Sequence, residues 1–420
     1  MPLILYIITG ILYFTGFSFL FRWLNRRKGK PADERWLIAA FAAKIAAGFA
    51  YGYMYAYYFP VSDSWVYFKE SLVEYQNLLT RPAIFFSTGI SFNNFTDFFS
   101  TADDAFWSNT GENLLIKLLA VFNVFSGGNY YIDVIFFNAL SFWGLYLIYI
   151  VAKKQIQKNG LLLFCIVFFL PSCLFWNSGI DKDGLIVFFT GTLIYAVHYC
   201  ITVKRTAGQL VIGALSFALI FLLRNINALM LLPAVAAWWI SVKIVPVRPY
   251  LAYVIIYSVC IVFFFLSVSF PSKFNLPLKL AEKQHQFLML EANTVLSLTP
   301  LKPTVRSYTE VLPQAANHVF LRPYITEIKS PFHLMAFVEI VLIASIIIVA
   351  VLSSAKHMLR QLLQPFCLFL IMVSLSGLLI IGYTVPFTGA IVRYKALYTV
   401  LLLLPFTGML NRKLWKSKMR

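Results

Sequence analysis

Residues 250–270 read YLAYVIIYSVCIVFFFLSVSF, 21 consecutive residues without a charged side chain. Wound as a helix at about 1.5 Å per residue, such a run covers about 30 Å, the hydrocarbon thickness of a bilayer. The rest of the chain has the same character. Of its 420 residues, 60% are hydrophobic and 12% charged, against roughly 45–50% and about 25% in soluble domains. Mean hydropathy is +0.76. A water-soluble fold would have no surface on which to place 41 phenylalanines and their aliphatic neighbours. The fold class expected is all-α, a polytopic membrane helical bundle.

Eleven apolar runs approach or exceed the length needed to cross, near 3–22, 36–58, 129–151, 160–176, 184–203, 209–223, 226–242, 250–270, 333–353, 365–385 and 396–410. The break at Arg224/Asn225 leaves 209–242 readable as two spans or as a re-entrant pair. With the N-terminus outside, the inner segments hold 20 Lys and Arg against 2 acids, and the outer segments 14 of each sign. That asymmetry is what the positive-inside rule requires. It predicts a multi-pass inner-membrane protein with its N-terminus outside and its C-terminus inside. The net charge of +18 is therefore a topology signal, and no nucleic-acid partner is expected. Basic residues follow the first run instead of preceding it, so that run reads as a retained span.

Two outer segments are long, 59–128 and 271–332. Three sections follow: residues 1–35, an extra span and basic loop; 36–245, a core module carrying the first outer segment; and 246–420, later spans carrying the second. In the first segment Ser62-Asp63-Ser64 precedes an amphipathic run, and residues 113–125 are too short to span. Both suit helices lying in the interface. Thr80 to Thr110 reads as irregular loop. The five cysteines lie in apolar runs without C-x-x-C spacing, and the five histidines are scattered. Neither a disulfide framework nor a zinc site is expected. Walker A, G-x-G-x-x-G and G-x-S-x-G patterns are absent, which leaves nucleotide-driven chemistry unsupported.

Asp63 follows the exit of the second span. A carboxylate there, among aromatic rings, can serve as a base toward an incoming hydroxyl, or cap the next helix, and the two roles are compatible. Asp181, Lys182 and Asp183 sit in a short turn between spans, where polar groups need partners of their own or a ligand's phosphate and hydroxyls. Arg224 and Arg393 (followed by Tyr394) stand at the outer edge, where an arginine either grips a lipid phosphate bidentately or snorkels to headgroups, while Arg322, in the second outer segment beside Tyr324, either lines a cavity mouth or is an ordinary solvated loop cation. Lys44 and Glu339 fall inside spans and read as a structural pair or as snorkelling side chains.

These features together resemble the GT-C superfamily of integral membrane glycosyltransferases that use polyprenyl-phosphate sugars. The likeness rests on the Asp directly after a span, the two short helices in the first outer loop, the segment PSCLFWNSGIDKDGL (171–185) and the segment GAIVRYKALY (389–398). The resemblance implies a lipid-linked sugar donor, an envelope glycan or lipid acceptor, Asp63 as base, and Arg393 with Lys182 or Arg224 on the donor phosphate. The family's paired acids are here a single carboxylate between serines, so no cofactor is implied and a divalent metal is unsupported. Two other readings stay open: a polymerase or ligase acting on polyprenyl-pyrophosphate-linked oligosaccharides, and a non-enzymatic transporter or scaffold in the membrane.

Overall fold

The computed structural model describes residues 3–59, 63–87, 104–156, 160–203, 206–245, 248–290 and 294–410. The helices, in chain order, begin with α1 (Leu3–Arg27), α2 (Glu34–Tyr57), α3 (Asp63–Thr80), α4 (Pro82–Ser87) and α5 (Asp104–Ser126). They continue with α6 (Tyr130–Ile156), α7 (Gly160–Phe169), α8 (Pro171–Trp176), α9 (Lys182–Thr202), α10 (Ala207–Leu223) and α11 (Asn225–Lys243). The last six are α12 (Pro249–Leu266), α13 (Leu276–Leu288), α14 (Val305–Phe320), α15 (Pro331–Leu362), α16 (Pro365–Thr384) and α17 (Thr388–Thr407). Among the described residues nine helices (α1, α2, α6, α9, α11, α12, α15, α16 and α17) are long and apolar enough to cross a bilayer, and α7 and α10 are shorter apolar helices. The protein is a multi-pass, all-helical membrane bundle. An isolated bridge between Val295 and Phe387 is the one extended pairing among the described residues.

Local chemistry sets the helix ends. Asp33 caps α2 by accepting from the amides of Arg35 and Trp36, and Thr206, Thr304 and Ser330 cap α10, α14 and α15. Proline occupies the first turn of α12, α13, α15 and α16, where its missing N–H costs nothing. The apolar run at 160–176 is two helices, not one. It breaks at Leu170, because Pro171 cannot donate to the preceding turn and crowds it.

The chain divides into two compact units. One comprises Met1–Val151, Cys173–Cys200 and Arg205–Ala228; the other comprises Ala152–Ser172, Ile201–Lys204 and Leu229–Arg420. In the first, α6 crosses α9 at two glycines. A Cβ on Gly191 would come within 2.1 Å of the Gly144 carbonyl oxygen, and one on Gly144 within 2.5 Å of Phe188 Cα. Phe21, Phe41 and Phe142 pack edge to face nearby, with centroids 4.9–5.2 Å apart. The segment linking α2 to α6 lays α3 against α5, joined by the Asn123 amide donating to Ser71 Oγ at 2.9 Å.

In the second unit α16 and α17 pack side by side, with the Tyr398 ring against Gly377. Trp238 of α11 stacks on Phe369 at 4.8 Å. The segment before α15 is tied down by Gln284, which donates to the carbonyls of Thr299 (3.1 Å) and Tyr383 (2.9 Å) and accepts from Leu301 N (2.7 Å). Tyr308 fills the space between Phe264, Phe265 and Tyr383.

The irregular loop expected over Thr80–Thr110 gives way at both ends, where α4 begins at Pro82 and α5 at Asp104. The 113–125 helix is correspondingly longer, running from Asp104 to Ser126. Residues 88–103, with Phe92, Phe95, Phe98 and Phe99, lie outside the described residues.

The glycine crossing generates a prediction. Gly191→Leu drives a side chain into the α6 backbone and lowers stability by about 3 kcal/mol or more, read as an earlier unfolding midpoint in detergent. Gly16→Ala, which meets no atom within 4 Å, leaves the midpoint in place.

Candidate functional site

Between α8 and α9 the chain leaves helical geometry for five residues, Asn177–Asp181. Backbone groups freed inside an apolar bundle must be bonded by protein. Lys44 Nζ donates to the Asn177 carbonyl at 2.9 Å and to Ser178 Oγ at 3.1 Å. Ser141 Oγ donates to the same carbonyl at 3.0 Å, and the Asn138 amide to the Ser178 carbonyl at 2.9 Å. Gly179 lies flat on the Tyr51 ring, where a Cβ would approach to 2.4 Å. Helices α2 and α6 thus fix this segment, and Ser178 Oγ donates back to the Leu174 carbonyl of α8 at 2.5 Å. Lys44 is a clamp on the broken backbone, a role its position inside a span does not announce.

The segment delivers the Asp181-Lys182-Asp183 triplet to the start of α9. Asp181 is buried and accepts from the Lys182 amide at 2.7 Å. Lys182 Nζ reaches Glu112 of α5 at 3.0 Å, and Asp183 pairs with Arg224 Nη1 at 2.7 Å. Arg224 is the single extended residue (φ −153°, ψ 98°) between α10 and α11, which turns its side chain off the helix path. The expected residues Asp181, Lys182, Asp183 and Arg224 therefore meet within the first unit, joined by Glu112. Glu112 carries no signal of its own in the sequence, standing between the stretch that ends at Thr110 and the apolar run that starts at Asn113.

Asp63 is the first residue of α3 and is exposed. A carboxylate there faces the positive end of the helix dipole. Its neighbours hold it in place. Ser64 Oγ bonds the Tyr130 hydroxyl at 2.6 Å, and Trp65 stacks on Tyr130 at 4.0 Å while its indole N–H donates to the Gly52 carbonyl. Asp133, fully buried in the first turn of α6, has no hydrogen-bond partner on either carboxylate oxygen. It is a further ionisable group within a span, beside Lys44, Glu339 and Lys395.

Arg322, Arg393 and Tyr394 belong to the second unit. Arg322 pairs with Glu327 at 3.0 Å. The Arg393 guanidinium stands 5.8 Å from the Tyr394 ring, which meets Phe287. Lys395 is the buried member of that motif, its ammonium donating to the Val319 carbonyl near the end of α14 at 3.0 Å. Glu339 accepts from Ser172 N at 2.6 Å and Ser172 Oγ at 2.5 Å, closing the start of α8. His318 is buried, with Nδ1 unbonded. Desolvation first, and then the Arg322 charge, hold its pKa below the ordinary histidine value. Among the described residues no group of three or more His, Cys, Asp or Glu is arranged to hold a metal.

Chemically, the first unit offers one exposed carboxylate on a fixed helix start and two cations held in place by acids. Arg224→Ala leaves the buried Asp183 carboxylate without its cation and costs about 3 kcal/mol. The double variant Arg224→Gln/Asp183→Asn recovers most of that loss in detergent unfolding. A second prediction concerns acid. Because His318 binds its proton less readily when folded, the unfolded chain takes up more protons between its ordinary pKa of about 6.5 and the lower folded value. Stability falls as pH drops through that window, and His318→Leu flattens the fall.

No family model, curated protein or solved structure matches this chain.

Proposed function

We propose that the protein is a membrane glycosyltransferase of GT-C type that moves a sugar from a polyprenyl-phosphate donor to an envelope glycan or lipid. The observation that carries the reading is the link between α2 and α6. Its two longer helices, α3 and α5, pack on each other, and α3 begins at an exposed aspartate six residues after the preceding span ends. The side chains next to that aspartate are locked to α2 and α6 through Trp65 and Ser64, so the carboxylate sits on a rigid mount. Rigid mounting is what positions a base against a substrate hydroxyl.

In this reading Asp63 takes the proton of the acceptor hydroxyl as its oxygen bonds the anomeric carbon. The bond from that carbon to the phosphate oxygen breaks on the opposite face, and polyprenyl phosphate leaves with the electron pair. Lys182 and Arg224, held by Glu112 and Asp183, offer the cations that favour phosphate departure. The role of Arg393 on the donor phosphate rests on the resemblance of GAIVRYKALY and is tested by its own substitution. The charge asymmetry between connecting segments supports a site on the non-cytoplasmic face of the inner membrane, with the N-terminus outside.

Asp63→Asn, reconstituted in vesicles containing polyprenyl-phosphate sugars, lowers transfer by about 10²–10⁴-fold while the unfolding midpoint stays unchanged. Turnover within a few fold of the native rate removes Asp63 as base.

A further inference from the structure

The connection between α1 and α2 carries six Lys and Arg (Arg22, Arg26, Arg27, Lys28, Lys30, Arg35) against two acids, Asp33 and Glu34. Both acids are already engaged. Asp33 caps α2, and Glu34 takes Arg26 in a two-pronged pair at 2.7 and 2.8 Å. Arg22, Arg27, Lys30 and Arg35 form no direct ion pair among the described residues, and all four are exposed; Arg22 and Lys30 only add their charge at longer range to that of Arg26 on Glu34. Lys28 reaches the Tyr195 hydroxyl.

The turn is rigid. Asn25 is buried, donates to the Ala32 carbonyl at 2.8 Å and accepts from Ala32 N at 3.1 Å and from the Tyr146 hydroxyl at 3.0 Å. The Tyr149 hydroxyl donates to the Pro31 carbonyl at 3.1 Å. Gly29 and Lys30 adopt positive φ (80° and 54°), which folds the chain back on α1 within two residues. A solvated basic loop has no need of such bracing.

Its depth is fixed by its neighbours. Helices α1 and α2 both have the length and apolarity of spans, and six residues separate Arg27 from Glu34. A link that short cannot leave the headgroup layer. Two tryptophans flank it, Trp23 at 41% and Trp36 at 58% exposure, the residue type that settles at the membrane–water boundary. The Arg27 guanidinium lies 3.9 Å over the Trp23 ring, which holds a cation at that same level.

We propose that this turn is a binding site for acidic phospholipid headgroups, with Arg22, Arg27, Lys30 and Arg35 meeting the phosphodiester and Trp23 and Trp36 meeting the glycerol and upper acyl region. Headgroup phosphates stand in the layer where these cations are held, and juxtamembrane clusters of four to eight basic residues attract such lipids. Free phosphate offers the charge without the apolar part that the two rings would contact. The inference is independent of the transferase reading.

The test uses the full chain in vesicles of phosphatidylcholine with brominated phosphatidylglycerol or brominated phosphatidylcholine, reading tryptophan quenching. The part due to the turn is isolated by subtracting the signal of Trp23→Phe/Trp36→Phe. Phosphatidylglycerol is expected to quench about fivefold more effectively per mole at about 0.05 M salt, and the preference to vanish at about 1 M salt. Arg22→Gln/Lys30→Gln reduces it, and adding Arg27→Gln and Arg35→Gln abolishes it. Arg26, Glu34, Lys28 and Asn25 stay untouched, so the turn keeps its bracing. Equal quenching by the two lipids in the native chain, or an unchanged preference in the fourfold variant, overturns the proposal. So does loss of the preference on adding millimolar inorganic phosphate but not chloride of equal ionic strength, which would mark a free-phosphate site. Where the fourfold variant inserts poorly, the salt and phosphate series on the native chain decides alone.

Discussion

A buried ammonium bonded to a broken backbone governs the first unit. Lys44 gives its protons to the Asn177 carbonyl and the Ser178 hydroxyl, where the chain leaves one helix before starting the next. Irregular backbone at membrane depth survives only when protein satisfies it. The amine, Ser141 and Asn138 do so. Without them the carbonyls of residues 177 and 178 would face apolar side chains, at roughly 1–3 kcal/mol each. The start of α9 depends on that anchoring, and with it the Lys182–Glu112 and Asp183–Arg224 pairs.

The same logic recurs in the second unit, there with both signs. Glu339 accepts from the backbone and hydroxyl of Ser172, and Lys395 donates to the Val319 carbonyl at the end of α14. These two charges each meet a helix end, where backbone dipoles of the matching sign collect. Charges in this protein act first as fasteners for interrupted helices. Asp63, by contrast, stands exposed at the start of α3.

How much of this was legible in the sequence follows from the range of each interaction. A span is a local property, so the apolar runs could be marked from composition, and helices fall on all eleven. Pro171 is likewise local, yet the run at 160–176 was read through it because hydropathy does not register a missing N–H. The partners of Lys44, Glu339 and Lys182 lie 133, 167 and 70 residues away, and nothing in a linear chain names them. Asp133 escaped notice among the intramembrane charges for a different reason: it stands near the leading edge of its run, where a carboxylate passes for a loop residue.

The clamp on residues 177 and 178 has a bearing on how the protein is made. Helix α2 leaves the ribosome carrying an amine whose acceptors have yet to be synthesised, 133 residues downstream. At about 5–20 residues per second the wait is roughly 7–27 s. Throughout it a lysine in lipid would cost about 2.5–3.5 kcal/mol. The second helix therefore has reason to linger at the insertion machinery until the eighth arrives. The clamp on α2 can close only once the segment after α8 has been made.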